Sequence, residues 1–380
     1  MGEHLDIAAV QPWEGADLNI GGLRVPVPII QGGMGVGVSL SGLASAVARA
    51  GGIGVISAAL IGPLREKYRA LGHAGDMAAL EEEIATAKRL SAGSPGAIGV
   101  NIMVAGKRFH ELVDASIRAK VDVIISGAGL PLDLPSHAVP GMATKLVPIV
   151  SSAKAARLIA KRWIEKYNYT PDAFVVEGPL AGGHLGFKAE QVTDPAFAVD
   201  NLVAEVRQVA NDIQGERGVR PAVLAAGGVF TGEDIAHMVE CGADGVQMAT
   251  RFIATEECDA SQAFKDALIG ATDADVTLIP SPVGMPGRAL ASEFVSQVKA
   301  GERTAKVCRY DCLTPCQGVG AVYCIAQALI NAVGGDLENG YVFVGGSAGR
   351  VREMTTVPAL IDELREGYLS ARLNRPAALA

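Results

Sequence analysis

Short runs of consecutive apolar residues recur along the first two thirds of the chain, and each is followed by a segment with helically spaced apolar positions. The runs do not alternate between apolar and polar residues, so they predict strands buried on both faces, as in parallel sheets. Eight strand–helix units in about 250 residues are the count of a TIM (β/α)8 barrel, with a doubly wound open sheet as the alternative. The predicted strands cover residues 28–31, 53–57, 97–102, 121–125, 146–150, 172–176, 221–225 and 245–249.

Polar residues in front of the helical segments predict where several helices begin. Ser39 and Asp76 precede apolar-periodic segments and are expected as helix caps. Thr231 with Asp234 three positions later resembles a capping box. Residues 1–27 show no such pattern, and we expect them to be irregular.

The strand–helix rhythm stops after residue 255, which divides the chain in two. Residues 1–255 are predicted to form the barrel domain. Residues 256–380 are predicted to form a C-terminal, mainly helical appendage packed on or beside the barrel mouth. Within this appendage, segment 271–305 is polar and turn-rich, 308–333 holds four cysteines and an apolar helix-like run, and 355–373 is expected to be a closing amphipathic helix.

Composition and charge exclude several classes of protein. The 46 glycines fall at strand ends rather than in a low-complexity tract, which indicates tight turns and not disorder. The net charge is −8 and no segment is dense in Lys and Arg, so we expect no nucleic-acid partner. The N-terminal residues lack a basic and apolar leader, and no apolar run reaches membrane-spanning length. We therefore expect a cytoplasmic protein without a membrane span; the sequence leaves a homodimer open.

The loop Glu177–Phe187 is the strongest candidate for chemistry. It follows the sixth predicted strand and places His184 among glycines at 182, 183 and 186. Glycine lets a backbone approach a ligand closely, and imidazole titrates near neutral pH. His184 is therefore the predicted proton-transfer residue.

The seventh and eighth predicted strands end in a second candidate site. Ala226-Gly227-Gly228 follows one strand, and Gln247-Met248-Ala249-Thr250 ends the other. In TIM barrels, the loops at these two positions usually hold a phosphate with backbone amides near a helix N-terminus. We expect an anionic ligand here, while the alternative is a pair of tight turns that need glycine for geometry.

Five motifs in order resemble the nitronate monooxygenase (2-nitropropane dioxygenase-like) family. That family includes FabK-type flavin-dependent enoyl-ACP reductases and NAD(P)H:quinone reductases. The resemblance covers roughly residues 25–255, with a weaker echo in segment 284–290. The motifs are Gly32-Gly33-Met34, Gly99-Val100-Asn101, the 181–186 glycine-histidine segment, 225–229, and 245–252.

The resemblance implies FMN lying across the barrel mouth. Gly33 and Met34 would contact the isoalloxazine, and Asn101 would reach its polar edge. Glu177 and Gly182 would line the middle of the site. The phosphate would be held by Gly227, Gly228, Gln247, Met248, Ala249 and Thr250. The chain carries Glu177 where the family often has Gln, and Leu180 where it often has Glu.

The expected function is oxidation of alkyl nitronates by oxygen in an FMN-dependent nitronate monooxygenase. Reduction of an enoyl-ACP, another enoyl thioester or a quinone, with NAD(P)H as the reductant, is the alternative within flavin chemistry. A TIM-barrel enzyme that binds a phosphorylated metabolite without a flavin is the alternative outside it.

Four of the six cysteines lie close together in the sequence. Cys308, Cys312, Cys316 and Cys324 have a C-x3-C-x3-C-x7-C spacing that matches none of the standard C-x2-C signatures. Cys324 also falls in an apolar, helix-like run, which favours packing. Four thiols this close could bind zinc or an iron–sulfur cluster, but the spacing and the apolar run favour packing.

Overall fold

A closed barrel of eight parallel strands forms the centre of the computed structural model, which describes residues 11, 13 and 15–374. The barrel order is β3-β4-β5-β6-β7-β8-β10-β11, and β11 pairs with β3 through Val246↔Ile29 and Met248↔Gln31. This closure confirms the TIM barrel and excludes the open sheet. The strands are β1 (Leu18–Ile20), β2 (Leu23–Val25), β3 (Ile29–Gln31), β4 (Ile53–Ser57), β5 (Ala97–Met103), β6 (Val123–Gly127), β7 (Lys145–Val150), β8 (Ala173–Glu177), β9 (Gly183–His184), β10 (Ala222–Ala226), β11 (Gly245–Met248), β12 (Val276–Pro280) and β13 (Pro286–Leu290).

Both faces of the barrel strands are buried, which explains their continuous apolar runs. Val55, Val175 and Leu224 point into the barrel and share an inner core. Ile56 and Phe174, each next to one of these residues, belong to the core between strands and helices. Because successive side chains point to opposite faces, a strand that is covered on both sides must be apolar throughout.

Helices follow the barrel strands and form the outer layer. They are α1 (Ser41–Arg49), α2 (Glu66–Arg69), α3 (His73–Leu90), α4 (Phe109–Arg118), α5 (Ala153–Tyr167), α6 (Val199–Arg217), α7 (Gly232–Glu240), α8 (Thr250–Ile253), α9 (Gln262–Ile269), α10 (Glu293–Lys299), α11 (Ile325–Val333) and α12 (Val357–Leu373). The predicted capping box is present at the start of α7, where Thr231 and Asp234 exchange hydrogen bonds.

Two helix starts differ from the sequence prediction. Leu40, not Ser39, is the cap residue of α1, and the Asp259 carboxylate accepts hydrogen bonds from Leu40 N at 2.7 Å and Leu43 N at 3.1 Å. Asp76 lies within the first turn of α3 and accepts from Gly62 N at 2.9 Å. In both cases, a residue distant in sequence decides the hydrogen bonding, and a local pattern cannot reveal it.

The expectation that residues 1–27 are irregular is wrong for residues 18–25. Strands β1 and β2 form an antiparallel hairpin, with Leu18 opposite Val25. Leu18, Ile20 and Val25 are buried in the same cluster as the barrel interior, so the hairpin covers one end of that core. Most of the segment before the hairpin lies outside the described residues. The prediction that the N-terminus lacks a leader concerns this part of the chain.

The part of the chain after residue 255 contributes both strands and helices. Segment 271–305, predicted to be turn-rich, contains β12, β13 and α10, and β13 pairs with β9 of the glycine-histidine loop. The predicted closing helix is α12, which packs on α7 and shares the core of the barrel helices. The division of the chain at residue 255 into two domains stays a prediction. No helix in the described part of the chain is long and apolar enough to span a membrane.

Candidate active site

One cavity lies at the C-terminal ends of the barrel strands, and the structure brings all the predicted site residues together in its wall. Its volume is about 300 Å³. Active sites of TIM barrels lie at this face. The predicted residues in the wall are Gly33, Met34, Asn101, Glu177, Gly182, His184, Gly227, Gly228, Gln247, Met248, Ala249 and Thr250.

Glycines in the wall leave no room for side chains. A Cβ on Gly33 would lie 2.4 Å from Cβ of Asn101, and one on Gly182 would lie 2.6 Å from the carbonyl carbon of Val344. Gly227 and Gly228 have φ angles of +87° and +94°, which favour glycine. The cavity is therefore bounded here by bare backbone, which a flat or anionic ligand can approach closely.

The side of the cavity formed by the ends of β10 and β11 has little free positive charge. Arg251 lies in the wall, but its guanidinium is paired with the Glu363 carboxylate at 2.7 and 2.8 Å. The Thr250 hydroxyl accepts a hydrogen bond from Gly345 N at 2.9 Å and keeps its own proton available for donation. An anion on this side would rely on backbone amides and hydroxyl donors.

The glycine-histidine loop is held from outside the barrel by strand β13. Arg288 of β13 donates from Nη1 to the carbonyl oxygens of Pro179 and Ala181, both at 2.6 Å. The backbone of Gly287 and Arg288 pairs with His184 and Gly183. These contacts fix the loop from both its start and its middle.

His184 is half-buried and neutral near pH 7. Burial lowers the pKa of its imidazole to about 4. Nε2 lies 2.7 Å from Oγ of Ser281, and the ring packs edge-on against Phe343 with centroids 5.2 Å apart. Among the described residues Nδ1 has no hydrogen-bond partner, so this nitrogen is available to a ligand.

Glu177, at the end of β8, titrates in a different range. Loss of water raises the pKa of its carboxyl group to about 7, although the Gly186 amide and the Arg288 charge both favour the ionised form. The charge of Glu177 therefore changes near neutral pH.

Sequence reasoning missed the residues that support His184. Ser281, Arg288 and Phe343 lie roughly 100 to 160 positions from the loop in sequence and meet it only through β13 and its neighbours. Arg288 fell within the weak 284–290 motif, which was the one available signal. Ser281 and Phe343 stand in no motif that sequence analysis singled out.

The model of the nitronate monooxygenase family matches residues 18–367 of the chain. The chain belongs to this family. It is accordingly an oxidoreductase enzyme, and the resemblance predicted from the five motifs is confirmed.

Relatives within and around the family differ in what they act on. A carboxyl-CoA dehydrogenase from Mycobacterium tuberculosis, (3aS,4S,5R,7aS)-5-hydroxy-7a-methyl-1-oxo-octahydro-1H-indene-4-carboxyl-CoA dehydrogenase, is 29% identical over 73% of this chain and 66% of its own length, just under two thirds. A probable nitronate monooxygenase from Staphylococcus aureus is 24% identical over 74% of this chain and 79% of its own length. The structure of FabK from Thermotoga maritima superposes with a TM-score of 0.69 and 28% identity, covering 92% of this chain and 94% of that one.

Proposed function

We propose that the chain is an FMN-dependent enzyme that oxidises alkyl nitronates. Two features of the cavity support FMN. At Gly33, Gly182 and Gly227 a Cβ would collide with protein atoms, so only backbone borders the cavity there and a flat ring can lie against it. Gln247 Oε1 is buried in the wall without a hydrogen-bond partner among the described residues, and an N–H or O–H of a bound ligand would satisfy it.

The residues present can be assigned to parts of the cofactor. Gly33, Met34 and Asn101 would lie against the ring, with Glu177 and Gly182 along its middle. The backbone at Gly227, Gly228 and residues 247–250 would bind the phosphate, with the Thr250 hydroxyl as a further donor. When bound, FMN would supply the redox chemistry that connects oxidation of the substrate to reduction of oxygen.

The neutral state of His184 favours a nitronate over a neutral nitroalkane as the substrate. A nitronate is already deprotonated and needs no base, and the neutral imidazole can donate a hydrogen bond to it. A neutral nitroalkane must first lose an α-proton, and an imidazole with a pKa of about 4 is a weak base for that step. We therefore expect nitronates to react much faster than the corresponding nitroalkanes.

The outer part of the cavity can accept an alkyl chain. Its wall includes the apolar side chains of Ile325 and Leu329 from α11, together with Phe343. Phe343 also packs edge-on against His184, so an alkyl chain bound there would lie close to the imidazole.

Reduction or oxidation of a CoA or acyl-carrier thioester is the second candidate. The observation in its favour is the 29% identical relative, which is named as a dehydrogenase of a carboxyl-CoA. In this case His184, backed by the Ser281 hydroxyl, would exchange a proton with the carbon skeleton of the acyl group.

Anaerobic stopped-flow reduction of the bound flavin separates the two. Propyl nitronate should rapidly reduce the bound flavin and bleach its absorbance. NADH and NADPH should leave the flavin oxidised. Rapid bleaching by a reduced nicotinamide, with none by the nitronate, would reject nitronate oxidation in favour of the thioester candidate. Nitropropane kept in its neutral form serves as the control for proton abstraction.

A further inference from the structure

A group of four cysteines lies beside the active-site cavity, and the proposed reaction does not use it. Cys308 and Cys316 meet at Gly318, where a Cβ would lie 3.7 Å from Cys308 Sγ and the amide is 3.4 Å from Cys316 Sγ. Burial, together with the charges of the other three thiols, raises the pKa of Cys312. Cys312 also lines the cavity, as do Ile325 and Ala326, which follow Cys324. We call Cys308, Cys312, Cys316 and Cys324 the four-cysteine group.

The segment that carries these cysteines has no regular secondary structure, although Leu313 and Tyr323 are buried within it. Between Lys299, the end of α10, and Ile325, the start of α11, the described backbone contains no helix or strand. Its links to the barrel include Lys107 N to Cys312 O at 3.0 Å and Thr314 N to Ala105 O at 2.8 Å. Loops longer than about 15 residues without secondary structure are uncommon in compact domains and are usually functional when ordered. A bound metal centre can supply the stability that a small apolar core does not.

Backbone amides point at two of the sulfurs. Gly318 N donates to Cys316 Sγ at 3.4 Å. Cys324 stands at the start of α11, where burial raises its pKa overall, although the amides of Gln327 and Ala326 favour its ionised form. Amide hydrogen bonds of this kind stabilise thiolates and adjust the potential of sulfur-ligated clusters.

The position of Cys324 corrects the sequence-based expectation. The residue is the extended N-cap of α11, with φ −85° and ψ 101°, and it does not lie within the helix. Its side chain is therefore not committed to the apolar face of the helix, which was the reason for expecting packing rather than ligation.

The spread of the sulfurs distinguishes between metal centres. Tetrahedral zinc with Zn–S bonds of about 2.3 Å requires sulfurs about 3.8 Å apart. Within the described residues, the one group of three or more potential ligands whose atoms all lie within 4.8 Å is Asp200, His237 and Cys241. The four-cysteine group is thus more widely spaced than a zinc site, as expected for thiolates that each bind a different iron of a cluster.

We propose that the four-cysteine group binds an iron–sulfur cluster at the wall of the active-site cavity. Each thiol loses its proton on binding, and the four thiolates ligate the iron atoms. The cluster would fix the segment between α10 and α11 and close the cavity on the side of α11.

The test is metal and sulfide analysis of the full chain, expressed and purified without oxygen and then reconstituted with ferrous iron and sulfide. We expect iron and acid-labile sulfide in a one-to-one ratio, with about four of each per chain, since each of the four thiolates binds a different iron. Broad absorbance near 400 nm beyond that of the flavin, and an electron paramagnetic resonance signal after dithionite reduction, should accompany them.

Serine variants locate the cluster. Cys312→Ser and Cys316→Ser should lose most of the iron and sulfide, while Cys241→Ser, which lies outside the group, should retain both. Circular dichroism of each variant checks that it is folded.

Three results would overturn the proposal. The first is less than one iron per chain in the reconstituted wild-type protein. The second is stoichiometric zinc without sulfide. The third is equal loss of iron in folded Cys312→Ser and Cys241→Ser. The wild-type analysis decides the question even if a serine variant does not fold.

Discussion

Glu177 and His184 lie on the same loop and its supporting strand, and burial moves their pKa values in opposite directions. The pKa of the Glu177 carboxyl rises to about 7, and that of the His184 imidazole falls to about 4. Burial disfavours the charged form of each group. The charged form is the carboxylate for Glu177 and the imidazolium for His184, so the first pKa rises and the second falls. Near neutral pH the site therefore holds a neutral histidine beside a glutamate that is partly ionised.

This arrangement predicts a pH dependence that belongs to Glu177. As the pH rises through about 7, Glu177 loses its proton and gains a negative charge, which should shift the visible spectrum of a flavin bound beside it. The titration should show an inflection near pH 7 in the wild-type protein and none in Glu177→Gln. An inflection near 6.5 that survives in Glu177→Gln and disappears in His184→Asn would show that the histidine titrates instead.

The glycine wall predicts a steric effect at Gly33. In Gly33→Ala the new methyl group would meet Cβ of Asn101 at 2.4 Å, so Asn101 or the backbone must move into the cavity. Overpacking of this kind costs about 1–3 kcal/mol, and FMN affinity should fall by roughly ten- to a hundredfold. Fluorescence titration with FMN measures the change.

Gly215→Ala is the matched control for Gly33→Ala. A Cβ at Gly215 meets no atom within 4 Å, and the residue lies in α6, away from the cavity. Its FMN affinity should equal that of the wild-type protein. Equal affinities in both variants would mean that Gly33 does not bound the flavin site.

The sequence predicted part of the cavity wall but not the residues that support His184. Gly33 and Gly227 stand at strand ends in motifs, because bare backbone at a ligand requires glycine. His184 stands in such a motif because proton transfer near neutral pH favours an imidazole. Ser281 and Phe343 contact His184 from segments that are distant in sequence. Nothing in the sequence around either residue indicates this contact.

At the scale of elements, the start of α1 depends on a residue beyond the barrel strands. The Asp259 carboxylate accepts hydrogen bonds from Leu40, Gly42 and Leu43, which are among the unpaired amides of the first turn. Helix α1 of the first barrel unit is thereby linked to the segment that follows the eighth barrel strand. Since α1 follows the Gly32-Gly33-Met34 motif, this cap also steadies one wall of the cavity.

Asp259→Ala should therefore destabilise the protein. Loss of a cap costs about 0.5–2 kcal/mol, and here one carboxylate serves three amides, so we expect the upper end of that range. Urea unfolding should show a lower midpoint for Asp259→Ala. Glu205→Ala removes an exposed carboxylate from α6 and should change stability by no more than about 0.5 kcal/mol. Similar midpoints for the two variants would contradict the capping role.

All eight barrel strands were predicted to within two residues, whereas several element ends were not. A strand covered on both faces leaves a continuous apolar run, which is a strong local signal. The α1 cap and the β1–β2 hairpin are set by partners far away in sequence. The β12–β13 hairpin is short and partly exposed, so its residues carry only a weak pattern.

At the scale of the whole molecule, α12 brings the C-terminal segment back onto the barrel. Leu360, Leu364 and Tyr368 are fully buried, and Tyr368 packs against Trp13 with ring centroids 5.3 Å apart. Gly232 of α7 allows the close approach, because a Cβ there would lie 2.1 Å from the Leu364 carbonyl oxygen. The barrel and the C-terminal segment consequently share one core.

Truncation of one buried leucine on α12 tests this packing. Leu364→Ala should cost about 2–5 kcal/mol, because it removes a fully buried side chain and leaves a cavity. Leu373, on the same helix, is 82% exposed, and Leu373→Ala should change stability by no more than about 0.5 kcal/mol. Thermal unfolding of both variants gives the comparison, and equal midpoints would show that α12 does not contribute to the core of the barrel.

The central claim is that the cavity at the strand ends binds FMN. The most direct measurement is to denature the purified protein, identify any released flavin by mass, and titrate the flavin-free chain with FMN. We expect about one FMN per chain, or saturable binding at one site, with binding weakened in Gly33→Ala. A chain that releases no flavin and fails to bind added FMN would contradict the claim.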